Sequence, residues 1–231
     1  MELLKLVKSE FKGFSKLEKI FFPLILFVTI FISIYTNDNK TALISAICGM
    51  SYTILAGKGR VSCYFIGIIG TICYSYLSFI NGFYGNLLLY AFYYFPMEII
   101  GIYKWSKNLQ KDKREIIRTQ LSGKEKTIYF SITILVTFIF FHILKYVGAV
   151  NPYIDSFTTI FSILGQLLTV KRCIEQWYVW FFVNIFSMAM WIIAYIDGSN
   201  CFTTIIMWFV YVILSVYFLI DWKRKIILDK N

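Results

Sequence analysis

Charge is scarce in this sequence. Only 16% of its 231 residues are Asp, Glu, Lys or Arg, against about 25% in a soluble domain. Histidine is scarcer still, with His142 the only one, and the five cysteines (Cys48, Cys63, Cys73, Cys173, Cys201) form no CxxC pair. A zinc site or a Cys–His nucleophile needs clustered partners, so the cysteines read as small apolar fillers. No metal and no cofactor is expected. There is no GxxxxGK[ST] loop to hold a nucleotide phosphate, and no HExxH, GxSxG or carboxylate pair for hydrolysis in a membrane. The chain is therefore not expected to be an enzyme. The ring of repeated polar or carbonyl-rich residues that a channel needs is also missing. No signal peptide is evident, because the first 19 residues, MELLKLVKSEFKGFSKLEK, lack a continuous apolar region and a small-residue cleavage site.

Apolar and aromatic residues are abundant, at 58% and 20%. They gather in eight runs, about 20–36, 41–56, 61–80, 84–105, 128–147, 153–170, 174–196 and 200–222. A helix needs about 20 apolar residues to cross roughly 30 Å of hydrocarbon. Backbone groups in lipid must be satisfied within their own segment, so each run predicts a helix. The expected fold class is an all-α membrane protein with eight transmembrane helices. Ahead of them, Leu3, Leu4, Val7, Phe11, Phe14 and Leu17 recur at helical spacing between lysines. This reads as an amphipathic helix over 1–19 on the cytoplasmic membrane surface, with a solvated basic tail as the alternative.

The basic residues test the span count. With eight spans, every Lys and Arg except Lys40 and Lys145 falls on one side. The positive-inside rule then places both termini in the cytoplasm, as for a multi-pass protein of the cytoplasmic membrane in contact with lipid. Seven spans would scramble the pattern. The net charge of +10 is thus topological and implies no nucleic-acid partner.

An internal repeat follows from the same map. Span three begins after AGKGR (Ala56–Arg60) and span seven after TVKR (Thr169–Arg172); each runs to an outer turn, Asn81-Gly82 or Asp197-Gly198. The following helices end in IYKW (Ile102–Trp105) and IDWKR (Ile220–Arg224), at an offset of about 116 residues that reads as a repeat, with a chance likeness of loops as the alternative. The expected layout is 1 + 3 + 1 + 3: an extra first helix (20–36), a three-helix repeat (41–105), a basic cytoplasmic loop (106–126), a linker helix (127–147), a second repeat (153–222) and a basic tail (223–231). Parallel repeats of this kind mark transporters that hold substrate near the midplane.

Span seven carries the most information. Trp177, Trp180, Asn184, Ser187 and Trp191 share one helix face, and an amide in mid-membrane must face protein or a watery cavity. A planar ligand stacked on the tryptophans with its polar edge on Asn184 would use them all. An aromatic belt at the membrane interface is the plainer reading. Glu98 is the only carboxylate well inside a span. It either balances a cationic substrate or forms an internal ion pair, with Lys104 or a loop Arg, or snorkels to the interface. Gln166 and Tyr211 are further candidates that serve equally as helix–helix glue. Pro96 loosens its helix.

EQW-x-x-W-x-x-x-N (Glu175–Asn184), preceded by VKR (Val170–Arg172), resembles the signature of the PnuC family of bacterial vitamin transporters. FPMEIIGIYKW (Phe95–Trp105) resembles the segment closing that family's first repeat. The resemblance covers about 41–225. It implies a SWEET-like fold of paired three-helix bundles, a homotrimer in the bacterial inner membrane, and uptake of nicotinamide riboside by facilitated diffusion with trapping by a cytoplasmic kinase. It also implies substrate contacts at Trp177, Trp180 and Asn184. Glu98 stands where a neutral amide is expected by analogy. Related subfamilies carry thiamine, riboflavin or deoxynucleosides, and these remain open as substrates; a non-transporting membrane scaffold is the alternative from another class.

Overall fold

Two serines set where helices of this chain begin. Ser15 Oγ accepts the Glu18 N–H at 3.1 Å while the Glu18 carboxylate accepts the Ser15 N–H at 2.7 Å. Ser122 and Glu125 repeat the exchange at 3.3 and 2.9 Å. Such reciprocal caps satisfy N–H groups that the first helical turn leaves without intrahelical acceptors. They start α1 (Lys16–Tyr35) and α5 (Gly123–Tyr146), ahead of the positions near 20 and 128 that hydropathy indicates. A cap is polar, so a hydropathy boundary falls inside the helix it opens.

The computed structural model describes residues 10, 13–36, 40–80, 84–110, 115–148, 151–196, 198 and 202–228, with the backbone alone at 77, 78, 80, 84–86, 194 and 203. The amphipathic segment expected over 1–19 lies mostly outside the described residues, as do Asn81, Gly82 and Asp197 of the outer turns. The remaining helices are α2 (Lys40–Gly57), α3 (Ser62–Ile80), α4, α6 (Pro152–Val170), α7 (Gln176–Ile196) and α8 (Phe202–Leu228). The described chain is all-helical, with eight helices. Six of them, α1, α2 and α5 to α8, are long and apolar enough to cross a membrane, whereas α3 is apolar over the shorter Ser62–Tyr76. This is a multi-pass membrane protein.

The fourth helix is interrupted. We number together as α4 the α-helical Tyr84–Leu89, a π-helical turn Tyr90–Tyr94 and the α-helical Phe95–Ser106. Pro96 has no N–H, so the carbonyl four residues back loses its usual partner. The Phe95 N–H reaches back five residues to the Tyr90 carbonyl instead. Proline does loosen this helix, on its N-terminal side, just before Glu98.

The chain divides into two units, Met1–Ile117 and Arg118–Asn231. In the first, α1 packs on α2, α2 on α3 and α3 on α4; in the second, α5 packs on α6, α6 on α7 and α7 on α8. The first unit centres on Met50, Tyr64 and Trp105, all fully buried, with the Tyr64 and Trp105 rings edge to face at 5.0 Å. The second centres on Leu164, Leu168, Val179 and Val183, where α6 meets α7. Helix α5 leaves Ile128, Ile132, Leu135 and Ile139 exposed, a face suited to lipid.

Each unit also contains one tight reversal, built identically. In the first, the Arg60 N–H donates to the Leu55 carbonyl at 2.9 Å, Gly59 has φ 71°, and its carbonyl accepts the Ile116 N–H at 3.0 Å. In the second, the Cys173 N–H donates to the Leu168 carbonyl at 2.9 Å, Arg172 has φ 63°, and its carbonyl accepts the Thr119 N–H at 2.9 Å. Matching these bonds gives an offset of 113 residues (172 − 59), shorter than the spacing of the loops and helix ends. A lysine precedes each left-handed residue. Lys58 is buried and donates to both Glu18 carboxylate oxygens at 2.8 and 3.0 Å, so it is an internal ion pair rather than a loop charge. Lys171 donates to the Tyr129 hydroxyl, which holds its ammonium above the ordinary lysine range.

Candidate functional site

The turn before α7 is fastened by the first two residues of the EQW motif. Glu175, 5% exposed, accepts the Leu121 N–H at 3.2 Å and pairs with Lys126 at 3.0 Å. Gln176, 1% exposed, donates from Nε2 to the Cys173 carbonyl at 3.0 Å. These side chains hold the helix start in place and so fix where the tryptophans and the asparagine of α7 fall.

The two tryptophans go to different neighbours. Trp177 is buried against α8, its ring 5.2 Å from Phe218 and 5.7 Å from Trp222, with the Arg118 guanidinium over the Trp222 ring at 5.2 Å. Much of its ring surface is thus already packed, yet its buried indole N–H has no acceptor among the described residues. Trp180 lies on α6 and is half-buried. Its indole N–H donates to Thr169 Oγ1 at 3.1 Å, and the Thr169 hydroxyl in turn donates to the Gly165 carbonyl at 2.9 Å. Glycine at 165 suits this approach, since a Cβ there would lie 3.0 Å from the indole and push it back by a few tenths of an ångström.

Asn184 follows one turn further along and is 5% exposed. Buried amides are normally hydrogen-bonded, but no hydrogen bond to its side chain occurs among the described residues. Ser187 is buried beyond it, and Gln166, next to Gly165 in the sequence of α6, is buried as well. Tyr211, on α8, is half-buried with its ring 5.6 Å from Trp208, edge to face. Trp180, Gly165 and Thr169 therefore meet directly, Trp177 joins α7 to α8, and Tyr211 belongs to a separate aromatic pair.

Glu98 lies in the other unit. It is 5% exposed and accepts the Thr71 hydroxyl at 2.9 Å through Oε1. Among the described residues it pairs with neither Lys104 nor an arginine, and it is buried rather than at the surface. Thr71, Thr169, Gly165 and Gly67 were not singled out by sequence reasoning. The signal for one of them was present: in the 113-residue register Thr71 takes the place of Asn184.

Comparison with known proteins agrees with this picture. Residues 39–224 match the family model described as nicotinamide mononucleotide transporter. The nicotinamide riboside transporter PnuC of Haemophilus influenzae is 28% identical over 98% of both chains. The protein of the same name from Neisseria mucosa is 25% identical over 94% of this chain and 84% of its own. A crystal structure of the vitamin B3 transporter PnuC superposes with a TM-score of 0.84 at 26% identity, covering 96% of this chain and 97% of that one. On the strength of a match spanning most of its length, this chain belongs to the nicotinamide mononucleotide transporter family.

Proposed function

We propose that this chain is an uptake carrier for nicotinamide riboside in a bacterial cytoplasmic membrane. Transport is by facilitated diffusion, and a separate cytoplasmic kinase traps the substrate. The observation that carries the reading is the line of groups on α7: the half-buried indole of Trp180, then Asn184, buried and with no side-chain hydrogen bond among the described residues. Such an arrangement suits a flat ring with a hydrogen-bonding edge. Trp177 joins it through its free N–H edge rather than its packed faces, and Gln166 and Tyr211 complete the unit's set.

The same residues favour the riboside over the mononucleotide. A phosphate dianion calls for Lys, Arg or a helix N-terminus, whereas none of the proposed contacts is a cation. Glu98 matches the positive pyridinium of nicotinamide riboside. It matches the thiazolium of thiamine equally well, which keeps thiamine as the second reading.

The identical reversals at Gly59 and Arg172 support a 1 + 3 + 1 + 3, SWEET-like arrangement with two three-helix repeats. The distribution of Lys and Arg supports cytoplasmic termini and a cytoplasmic 106–126 loop, and the exposed apolar face of α5 leaves room for a homotrimer as well as for lipid. The test is uptake of labelled nicotinamide riboside into liposomes holding only this protein, with calorimetric titration of variants. Trp180→Phe should weaken binding by about tenfold or less. Asn184→Leu should weaken it by up to about a hundredfold, since it leaves a ligand group unpaired. No flux of any vitamin or nucleoside would sink the carrier reading, and unchanged affinity in Asn184→Leu would make the amide helix glue.

A further inference from the structure

Glu98 is a buried acid that no described residue of its own unit neutralises. Oε1 accepts one hydrogen bond, from Thr71, and Oε2 has no partner among the described residues. The space around it is made by Gly67 on α3, where a Cβ would lie 2.8 Å from Oε1 and 2.7 Å from the Tyr52 ring of α2. Among the described residues, the Tyr52 ring of α2 shares the space at Gly67, Cys63 on α3 lies within electrostatic reach, and Tyr94 stands one turn back on α4. They are phenols and a thiol, and none is a cation. A single hydroxyl does not compensate an ionised carboxylate withdrawn from water. The empty site is therefore stable as the carboxylic acid, and the ionised form requires a cation to arrive.

We propose that Glu98 selects substrate by charge, releasing its proton when a cationic ring binds and regaining one when that ring leaves. This rests on the carrier reading above. The O–H bond of the acid breaks, its proton passes to water, and the carboxylate pairs with the pyridinium. The net charge of the site is the same before and after. An uncharged nucleoside displaces no proton. At low pH the site treats the two alike, and as pH rises it favours the cation. Because the bound complex holds one proton fewer, affinity for the cation increases with pH, by up to about tenfold per unit while the empty site is protonated.

Titration calorimetry of the purified full-length protein, in buffers of different ionisation enthalpy, counts the protons directly. Nicotinamide riboside should release about one proton on binding and uridine none, with affinity for the former rising as pH rises. Glu98→Gln, which keeps an acceptor for Thr71, should bind both with no proton release and no pH dependence. Binding of nicotinamide riboside to the wild-type protein without proton release would overturn this proposal and leave the carrier reading standing. Failure to bind at any pH would overturn both.

Discussion

The buried pair between Glu18 and Lys58 offers a quantitative test of the first unit's packing. Both side chains are about 5% exposed or less, and the ammonium sits 2.8 and 3.0 Å from the two carboxylate oxygens. Removing one partner of such a pair leaves an uncompensated charge and costs about 3–5 kcal/mol. Lys58→Met should show that cost. In a chain of this length about 1 kcal/mol moves the midpoint by roughly 2–4 °C, so a loss of about 6–20 °C is expected. Glu18→Leu should be at least as damaging, because Glu18 also accepts the Ser15 N–H that opens α1, a cap worth about 1 kcal/mol. The double variant removes both charges together. It should lie nearer the wild type than either single change, short of it by about the cap alone, since a buried ion pair is replaced by apolar groups at little net cost. Thermal unfolding in detergent, followed by size-exclusion chromatography, measures all four proteins. Single variants within about 2 °C of wild type, or a double variant as unstable as the sum of the singles, would refute the argument.

Two backbone positions give further tests. A Cβ on Gly101 would lie 2.3 Å from the Tyr64 ring, itself fully buried against Trp105. Gly101→Ala should therefore destabilise the protein by about 1–3 kcal/mol, and a neutral effect in the same unfolding assay would show that α3 and α4 are not in such close contact. At Arg172 the left-handed backbone (φ 63°) is borne by a residue with a side chain, where the first unit has Gly59. Arg172→Ala and Arg172→Gly lose the same guanidinium contacts, so glycine should be the more stable by about 1 kcal/mol. Equal midpoints would mean that the turn is not strained.

Much of the architecture was legible before any coordinates. Hydropathy indicated all eight helices because a backbone in lipid has no water to satisfy it, and composition must follow that constraint along the whole segment. Helical periodicity placed Trp177, Trp180 and Asn184 on one face of α7. Boundaries were less legible: the polar S-x-x-E caps at Ser15 and Ser122 carry helix starts that a search for apolar runs passes over. The matched turns at Gly59 and Arg172 are 113 residues apart, whereas the loops and helix ends beyond them are about 116 apart, because loops lengthen without disturbing the helices they join.

The sequence by itself determined the class of protein, the helices and the polar face of α7, because each depends on neighbours a few residues apart. Tertiary structure alone decided which helix each side chain meets. Helical spacing groups Trp177 with Trp180 but does not say that one packs on Phe218 of α8 and the other on Gly165 of α6. Nor does it pair Glu18 with Lys58, or Glu98 with Thr71, since these partners come from separate helices and only packing brings their atoms within hydrogen-bonding range.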